Sequence, residues 1–333
     1  MVAGLQPKIK KKEIMNAIDL TKGKPVTVIG AGLVGAGWAI VFARAGVSVR
    51  MTDSSAQVLE SAPKLVAQQL ERLHSHGLLK EPVATILARV SVEPDLQKAL
   101  DGAIYAQESV LEKADVKRKL MLEIESFGYN DLIIGSSTSG IPASDFGLDL
   151  KISPRVLVVH PVNPPYLVPI IELVGSPQTS KETIDWADHF MQALGQSVIR
   201  VNEEIEGFVI NRLQAVLLRE AWTMVADGVC SCEDVDKAIR DGLGFRWSFI
   251  GPFETIDLNA PNGVADYAAR FGPLFHRIAQ SRDQKRPWDE PLIKEVETQR
   301  RQFVKQSELN ARRDWRDEQL MKFAVHRAKS ADK

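Results

Sequence analysis

The stretch PVTVIGAGLVGAGWAIVFARAGVSVRMTD, residues 25–53, decides the fold of this 333-residue chain. PVTVIG is a short run rich in β-branched residues, which is typical of a buried parallel strand. The segment GAGLVGAGWAIVFARAG predicts a turn followed by a helix, and VSVRMTD predicts a second strand. Strand, helix and strand together form one βαβ unit, which indicates an α/β fold.

Three glycines of this unit, Gly30, Gly32 and Gly35, form a G-x-G-x-x-G motif between the strand and the helix. The first permits a tight turn, the second lets the backbone approach a pyrophosphate, and the third lets the helix pack closely on the sheet. Asp53 ends the second strand, where its carboxylate can accept hydrogen bonds from ribose hydroxyls. Ser54 follows, rather than the Arg or Lys usual near a 2′-phosphate, so the pattern favours NAD over NADP. FAD uses the same motif and is the alternative cofactor.

The alternation of strands and helices continues to about residue 203 and then changes. AIYAQESV, LIIGSSTS, RVLVVH, PIIELV and SVIRV predict further strands, whereas the later segments have helical spacing throughout. The predicted fold class is therefore α/β, with an N-terminal Rossmann-type doubly wound sheet followed by an all-helical C-terminal domain. The predicted domains are an N-terminal extension (1–24), an NAD-binding Rossmann domain (25–203) and a helical substrate and dimerisation domain (204–333).

Composition excludes several classes of function. The formal charge is −1, so no overall field would draw the chain to nucleic acid or to anionic lipid. We find neither an apolar run of roughly 18 residues, as a membrane span needs, nor a signal peptide, and we expect a cytoplasmic protein. Its two cysteines, Cys230 and Cys232, make a poor zinc site and are expected to stay reduced. The Lys-rich residues 1–24 predict a mobile extension or a short surface helix.

A histidine and a glutamate on consecutive strands are candidates for acid–base chemistry. His160 ends the apolar strand RVLVVH, at the side of the sheet where α/β folds bind ligands. Glu172 lies within the apolar strand PIIELV, where an unpaired carboxylate costs on the order of several kcal/mol. An imidazole on the neighbouring strand is its simplest partner, and such a pair suits a general base. The alternative is an edge-strand carboxylate that faces water.

Two further polar residues are candidates for binding a substrate oxygen. Ser139 follows the strand LIIG within SSTSG, although turn chemistry alone also explains hydroxyl side chains there. Asn211 lies near the start of a helix in EGFVINRL. On an apolar helix face an Asn side chain needs a hydrogen-bond partner, which a ligand in an interdomain cleft would supply. A solvent-facing Asn is the alternative.

Several segments carry a family resemblance. GAGLVGAGW, SSTS, HPVNPPY, IELV and EGFVINRL resemble the 3-hydroxyacyl-CoA dehydrogenase superfamily, and within it the branch of λ-crystallins and L-gulonate 3-dehydrogenases. GLGFRWSFIGPFET, DLNA and RRDWRDEQLM extend the resemblance, which covers residues 25 to about 328. HPVNPPY and FIGPFET are its most specific parts.

The resemblance implies roles for individual residues. His160 would be the catalytic base and Glu172 its partner, with Ser139 and Asn211 binding the reacting oxygen. Arg246, in GLGFRWSF, has no role that the resemblance transfers. It is a candidate for the substrate carboxylate, because Arg binds carboxylates in a bidentate way, or else it packs at an interface. Beside the glycines, the positions that the resemblance associates with NAD are Leu33, Val34, Asp53, Glu112 and Lys117.

The implied activity is NAD-dependent oxidation of the 3-hydroxyl of a small hydroxy acid, with L-gulonate converted to 3-dehydro-L-gulonate. The implied assembly is a homodimer formed through the helical domain. Three alternatives stay open: a 3-hydroxyacyl-CoA dehydrogenase, a carnitine 3-dehydrogenase, and a crystallin-like structural role. Acyl-CoA members resemble H-F-F-N-P after the base, whereas Pro161 and Val162 follow His160 here.

Overall fold

The computed structural model describes residues 16–281 and 288–331. The chain divides into two compact units, one running to Arg212 and resuming at Trp315, and the other comprising Leu213–Asp314. The segment from Trp315 on thus groups with the first unit, although the helical region precedes it in sequence. The domain limits drawn from the sequence stay predictions.

The first unit is built on one mixed sheet. Its strands, as far as the described residues go, are β1 (Val26–Ile29), β2 (Val49–Thr52), β3 (Val90–Val92), β4 (Tyr105–Glu108), β5 (Ile133–Ser136), β6 (Val156–Pro161), β7 (Ile170–Gly175) and β8 (Ser197–Val201). They lie in the order β3-β2-β1-β4-β5-β6-β7-β8. The pairs are parallel except for β6 with β7, which is antiparallel. The eight-residue connection 162–169 is too short for the crossover that a parallel pair would need.

Helices cover the sheet on both faces, as the Rossmann-type prediction requires. Those of the first unit before Arg212 are α1 (Ala17–Thr21), α2 (Leu33–Arg44), α3 (Ala56–Ser75), α4 (Val83–Leu87), α5 (Leu96–Leu100), α6 (Ala114–Ser126), α7 (Ala143–Gly147) and α8 (Lys181–Ala193). Strand β3 was missed from the sequence because it has three residues and its side chains are half-buried or exposed, which leaves no apolar pattern.

Each face of the sheet has its own core. Trp38, Phe42, Tyr105 and Phe190 are fully buried on the face covered by α2, α3 and α8, and Phe42 stacks on Phe190 at 5.9 Å. Phe146 and its neighbours fill the other face, under α6 and α7. Burying one such aromatic side chain stabilises the fold by about 1.5–3 kcal/mol, so these two cores hold the strand ends in place.

The remaining helices follow β8. They are α9 (Ile210–Ala226), α10 (Cys232–Lys237), α11 (Gly244–Trp247), α12 (Pro252–Leu258), α13 (Gly263–Gln280), α14 (Glu290–Arg301) and α15 (Leu309–Ala331), with a π-helical segment at Ala238–Leu243. Many large apolar side chains of the second unit face outwards, and Phe253 is 80% exposed. None of the described helices has the length and apolarity to cross a membrane.

The described part of the N-terminal region is a short helix rather than free chain. Asn16 caps α1 by accepting a hydrogen bond from the Asp19 N–H at 2.9 Å. Ala17 and Thr21 are buried, so α1 is anchored on the first unit. The Lys-rich segment 8–12 lies outside the described residues.

Candidate active site

The glycine motif forms a backbone cradle at the carboxyl end of β1. Gly30 has a φ of +96°, which favours glycine. A Cβ on Gly35 would lie 1.8 Å from the Gly30 carbonyl oxygen, so only glycine allows α2 to pack this closely. Gly32 is the N-cap residue of α2 and offers no side-chain cap, and a Cβ on it would meet nothing within 4 Å. The N–H groups of the first turn of α2 are therefore available to phosphate oxygens.

A groove of about 720 Å³ adjoins this cradle, and Gly30, Gly32 and Asp53 line it. Asp53 Oδ2 accepts a hydrogen bond from the Ala31 N–H at 2.7 Å, and Oδ1 accepts one from the Ser55 N–H at 2.8 Å. Each carboxylate oxygen keeps a free lone pair, which two ribose hydroxyls can use. Amide donors beside a fixed carboxylate fit a dinucleotide.

The other predicted cofactor residues lie in different surroundings. Leu33 is 80% exposed on the first turn of α2, and Val34 packs against the core. Lys117 is buried, with its Nζ 2.9 and 3.0 Å from the carboxylate oxygens of Glu108 and 3.3 Å from Glu112 Oε2. Lys117 is thus paired with two carboxylates, those of Glu108 and Glu112. Glu108 was missed from the sequence because nothing local marks a carboxylate that pairs with a lysine nine residues later.

Glu112 organises the loop that carries Ser139. Its Oε1 accepts hydrogen bonds from the Thr138 hydroxyl at 2.7 Å and from the Ser139 N–H at 2.6 Å. Burial opposes its ionised form, but these two bonds and the Lys117 charge hold the pKa of Glu112 below its ordinary value. Glu112 is therefore a fixed anion that shapes the SSTS turn.

His160 and Glu172 form the predicted pair. They face each other in the antiparallel β6–β7 register, with His160 Nδ1 2.7 Å from Glu172 Oε2. His160 is 6% exposed and Glu172 is fully buried. Among the described residues nothing hydrogen-bonds His160 Nε2, so a carboxylate on Nδ1 leaves Nε2 as the open acceptor. The alternative that Glu172 lies on an edge strand is wrong, because β7 pairs with β6 on one side and with β8 on the other.

Glu172 has a second function that the sequence did not indicate. Its Oε1 accepts the backbone N–H groups of Val209 at 2.7 Å and Ile210 at 2.9 Å, where α9 begins. Burial opposes the charge, but the hydrogen bonds from His160 and these two amides lower the pKa of Glu172. The carboxylate thus joins the imidazole to a helix N-terminus, where a negative charge is favourable.

Ser139 and Asn211 also meet. Asn211 Nδ2 donates to the Ser139 carbonyl oxygen at 2.5 Å, while the Ser139 hydroxyl has no hydrogen-bond partner among the described residues. Ser139 follows β5 and His160 is the second-to-last residue of β6, and the two strands are neighbours in the sheet. Arg246 lies in α11, within the second unit. In the described part of the chain, no group of three or more His, Cys, Asp or Glu side chains is arranged to hold a metal ion.

Comparison with known families agrees with this architecture. Residues 25–205 match the family model described as 3-hydroxyacyl-CoA dehydrogenase, NAD binding domain. Residues 207–304 match the model described as 3-hydroxyacyl-CoA dehydrogenase, C-terminal domain. The two matches together cover most of the chain.

Individual proteins that resemble this chain belong to the same group of dehydrogenases and crystallins. The chain is 36% identical to lambda-crystallin of Oryctolagus cuniculus over 303 residues, which is 90% of this chain and 95% of that protein. It is 36% identical to an L-carnitine dehydrogenase of Streptomyces griseus over 249 residues, covering 74% of this chain and 73% of the other. A solved 5-formyl-3-hydroxy-2-methylpyridine 4-carboxylic acid 5-dehydrogenase aligns with a TM-score of 0.77 and 25% identity, over 92% of this chain and 98% of that one. The chain therefore belongs to the 3-hydroxyacyl-CoA dehydrogenase family and is an NAD-dependent oxidoreductase that acts on CH–OH groups.

Proposed function

We propose that this protein oxidises the 3-hydroxyl of a small free hydroxy acid, with L-gulonate as the first candidate and His160 as the general base. One observation carries the proposal: a buried carboxylate holds Nδ1 of His160 at 2.7 Å, and Nε2 is left open. An imidazole in that tautomer can accept the hydroxyl proton as the C–H bond breaks.

NAD, held by the glycine cradle and Asp53, would supply the acceptor for the hydride of the substrate carbon. The chain itself does the rest. His160 Nε2 takes the hydroxyl proton, and the ring becomes cationic. Glu172 stabilises that cation, because the buried carboxylate stays ionised and lies within hydrogen-bond distance.

The substrate oxygen needs donors that hold it opposite the base. The Ser139 hydroxyl is unengaged among the described residues and can donate to it. Asn211 holds the Ser139 carbonyl, and Glu112 holds the Ser139 N–H, so this turn is fixed from both sides of the residue. In this proposal the Ser139 hydroxyl donates a hydrogen bond to the reacting oxygen. The second amide hydrogen of Asn211 donates to the same oxygen.

A carboxylate on the substrate would need a cation, and Arg246 is our candidate. Its Nε is shielded from solvent and has no hydrogen-bond partner among the described residues. A guanidinium N–H in that condition calls for an acceptor, which a substrate carboxylate or a second subunit would supply. Arg246→Lys should raise KM for the free acid while leaving NADH affinity unchanged. Equal KM values would remove Arg246 from substrate binding.

L-Carnitine is the second candidate substrate. It is favoured by the 36% identity to an L-carnitine dehydrogenase, and it too is a 3-hydroxy acid with a free carboxylate. Short 3-hydroxyacyl-CoA thioesters are the third, on the strength of the family match. A purely structural, crystallin-like role does not require the open Nε2 on His160.

We also propose a homodimer formed through the helical region. The segment FIGPFETIDL exposes 73% of Phe249 and 80% of Phe253, and exposed aromatic side chains at this density suit a subunit interface. The unpaired thiols of Cys230 and Cys232 support the cytoplasm as the compartment.

A substrate panel tests the proposal. NADH formation is followed with L-gulonate, L-carnitine and 3-hydroxybutyryl-CoA at equal concentrations, for the natural chain and for His160→Ala. We expect the highest kcat/KM with L-gulonate, and a loss of about 10²–10⁴-fold in His160→Ala without loss of NADH binding. Preference for the thioester would refute the free-acid proposal. Turnover in His160→Ala near that of the natural chain would remove His160 as the base.

A further inference from the structure

A buried polar cluster lies beneath the site and has no assigned role. Gln107, fully buried on β4, is at its centre. Its Nε2 donates to the Ser137 hydroxyl at 2.8 Å and to the Val159 carbonyl oxygen at 3.3 Å, while its Oε1 accepts the Tyr105 hydroxyl proton. These contacts fix the orientation of the amide, because a flipped amide would set its oxygen against the Val159 oxygen.

The cluster crosses the sheet through a gap made by one glycine. Gly135 on β5 stands beside Gln107 in the β4–β5 register, and Val159 lies on the next strand, β6. A Cβ on Gly135 would lie 2.1 Å from the Tyr105 hydroxyl and 2.7 Å from Val159 Cγ2. Because that Cβ is missing, side chains of β4 reach over β5 and contact β6 directly.

Ser137 extends the cluster to the cofactor helix. Its hydroxyl oxygen accepts from Trp38 Nε1 at 3.1 Å as well as from Gln107, which uses both of its lone pairs. Its proton is then donated to the Ser109 hydroxyl, 2.9 Å away. Trp38 belongs to α2, whose N-terminus adjoins the dinucleotide groove. Every donor and acceptor of the Ser137 hydroxyl is thus engaged.

The endpoints of the cluster are the immediate neighbours of the proposed reacting groups. Val159 directly precedes His160, so the hydrogen bond to its carbonyl oxygen fixes the peptide that joins the two residues. Ser137 lies two residues before Ser139, in the turn that Glu112 holds from the other end. One side chain therefore sets the base relative to the hydroxyl that binds the substrate oxygen.

We propose that Gln107 is a positioning residue for the oxidation: through Ser137 and the Val159 carbonyl it holds Ser139, His160 and helix α2 in one reactive arrangement. This inference rests on the proposed roles of His160 and Ser139. A misplacement of about 1 Å in such a site can cost on the order of 10²-fold in rate. Ser109, at the end of the cluster, also lines the dinucleotide groove, but Gln107 itself does not line it, whereas Gly32 and Asp53 do.

The test compares Gln107→Met with Thr27→Val. Met fills a similar volume and removes the amide. The matched control removes another buried hydrogen bond, from the Thr27 hydroxyl to the Ala99 carbonyl oxygen at 2.6 Å. Thr27 lies on β1, which β4 and β5 separate from β6, the strand of His160. Both variants are assayed for kcat and KM with the best substrate of the panel, for NADH affinity by fluorescence, and for melting temperature.

We expect both variants to have a lower melting temperature than the natural chain. Only Gln107→Met should also lose kcat, by about tenfold or more per folded molecule. Its NADH affinity should stay within about twofold of that of the natural chain. If Gln107→Met does not fold, Gln107→Glu replaces it. The Tyr105 and Ser137 hydroxyls can donate to the new carboxylate, but the hydrogen bond to the Val159 carbonyl oxygen is lost and the two oxygens repel each other. The same tenfold loss is expected.

A kcat within about twofold in the folded Gln107 variant overturns the inference, and so does a loss of NADH affinity as large as the loss of kcat. His160→Ala, run in parallel, separates the two levels. If His160→Ala keeps its turnover, the proposed function fails. If His160→Ala is inactive while the Gln107 variant is fully active, only the positioning role fails.

Discussion

Replacing Glu172 by Gln should abolish most of the activity while leaving the fold intact. Both backbone amides that Glu172 binds, those of Val209 and Ile210, donate to the same oxygen, Oε1. The amide oxygen of Gln can take that place and keep both bonds. Its NH₂ group is then left at the position of Oε2, 2.7 Å from His160 Nδ1.

This exchange reverses the hydrogen bond to the imidazole. A donor facing Nδ1 makes Nδ1 the acceptor, so the neutral ring carries its proton on Nε2 and cannot accept another there. The neutral amide also no longer offsets the charge of a protonated ring. Losses of this kind amount to about 10²–10⁴-fold in kcat, and we expect about 10³-fold. The cost in stability should be about 1–3 kcal/mol, for one charge-assisted hydrogen bond.

The assay is the rate of NADH formation at saturating NAD and substrate, together with NADH affinity and thermal unfolding. Asp188→Asn is the matched control. Asp188 is a buried carboxylate that accepts from Arg200 Nε at 2.6 Å, so the same exchange removes a charge-assisted bond away from the site. It should lower the melting temperature but leave kcat within about twofold. A Glu172→Gln variant that keeps more than about a third of the natural kcat would refute the tautomer reasoning.

Three further predictions follow from the same structure. Asp53→Ala should weaken NAD binding and narrow the preference for NAD over NADP, and natural protein that used both cofactors equally in steady-state assays would contradict the role of Asp53. The lowered pKa of Glu172 means that the stability contributed by its charge is fully present above its ordinary pKa and is lost only as the pH falls through the lowered value, so circular dichroism should show no unfolding between about pH 8 and about pH 6. Light scattering at micromolar concentration should give a dimer, and Phe253→Asp should shift it towards monomer; a natural chain that is monomeric would exclude the proposed interface.

The sequence alone was sufficient for the features that depend on local spacing. A Rossmann-type fold that binds NAD was predicted from Gly30, Gly32, Gly35 and Asp53, because strand, turn and helix each leave a short-range pattern in the sequence. The pairing of His160 with Glu172 followed from the cost of an isolated carboxylate in an apolar strand, and the structure joins them at 2.7 Å.

Only the tertiary structure decided which distant groups share a hydrogen bond. The two amides that Glu172 binds lie 37 and 38 residues away, and Gln107 reaches the Val159 carbonyl 52 residues on because Gly135 lacks a side chain. The buried ion pair between Lys117 and Glu108 is likewise visible only in the tertiary structure. Periodicity along a chain reports which face of an element is apolar, whereas these contacts depend on strand order and register, which are set when the whole sheet packs.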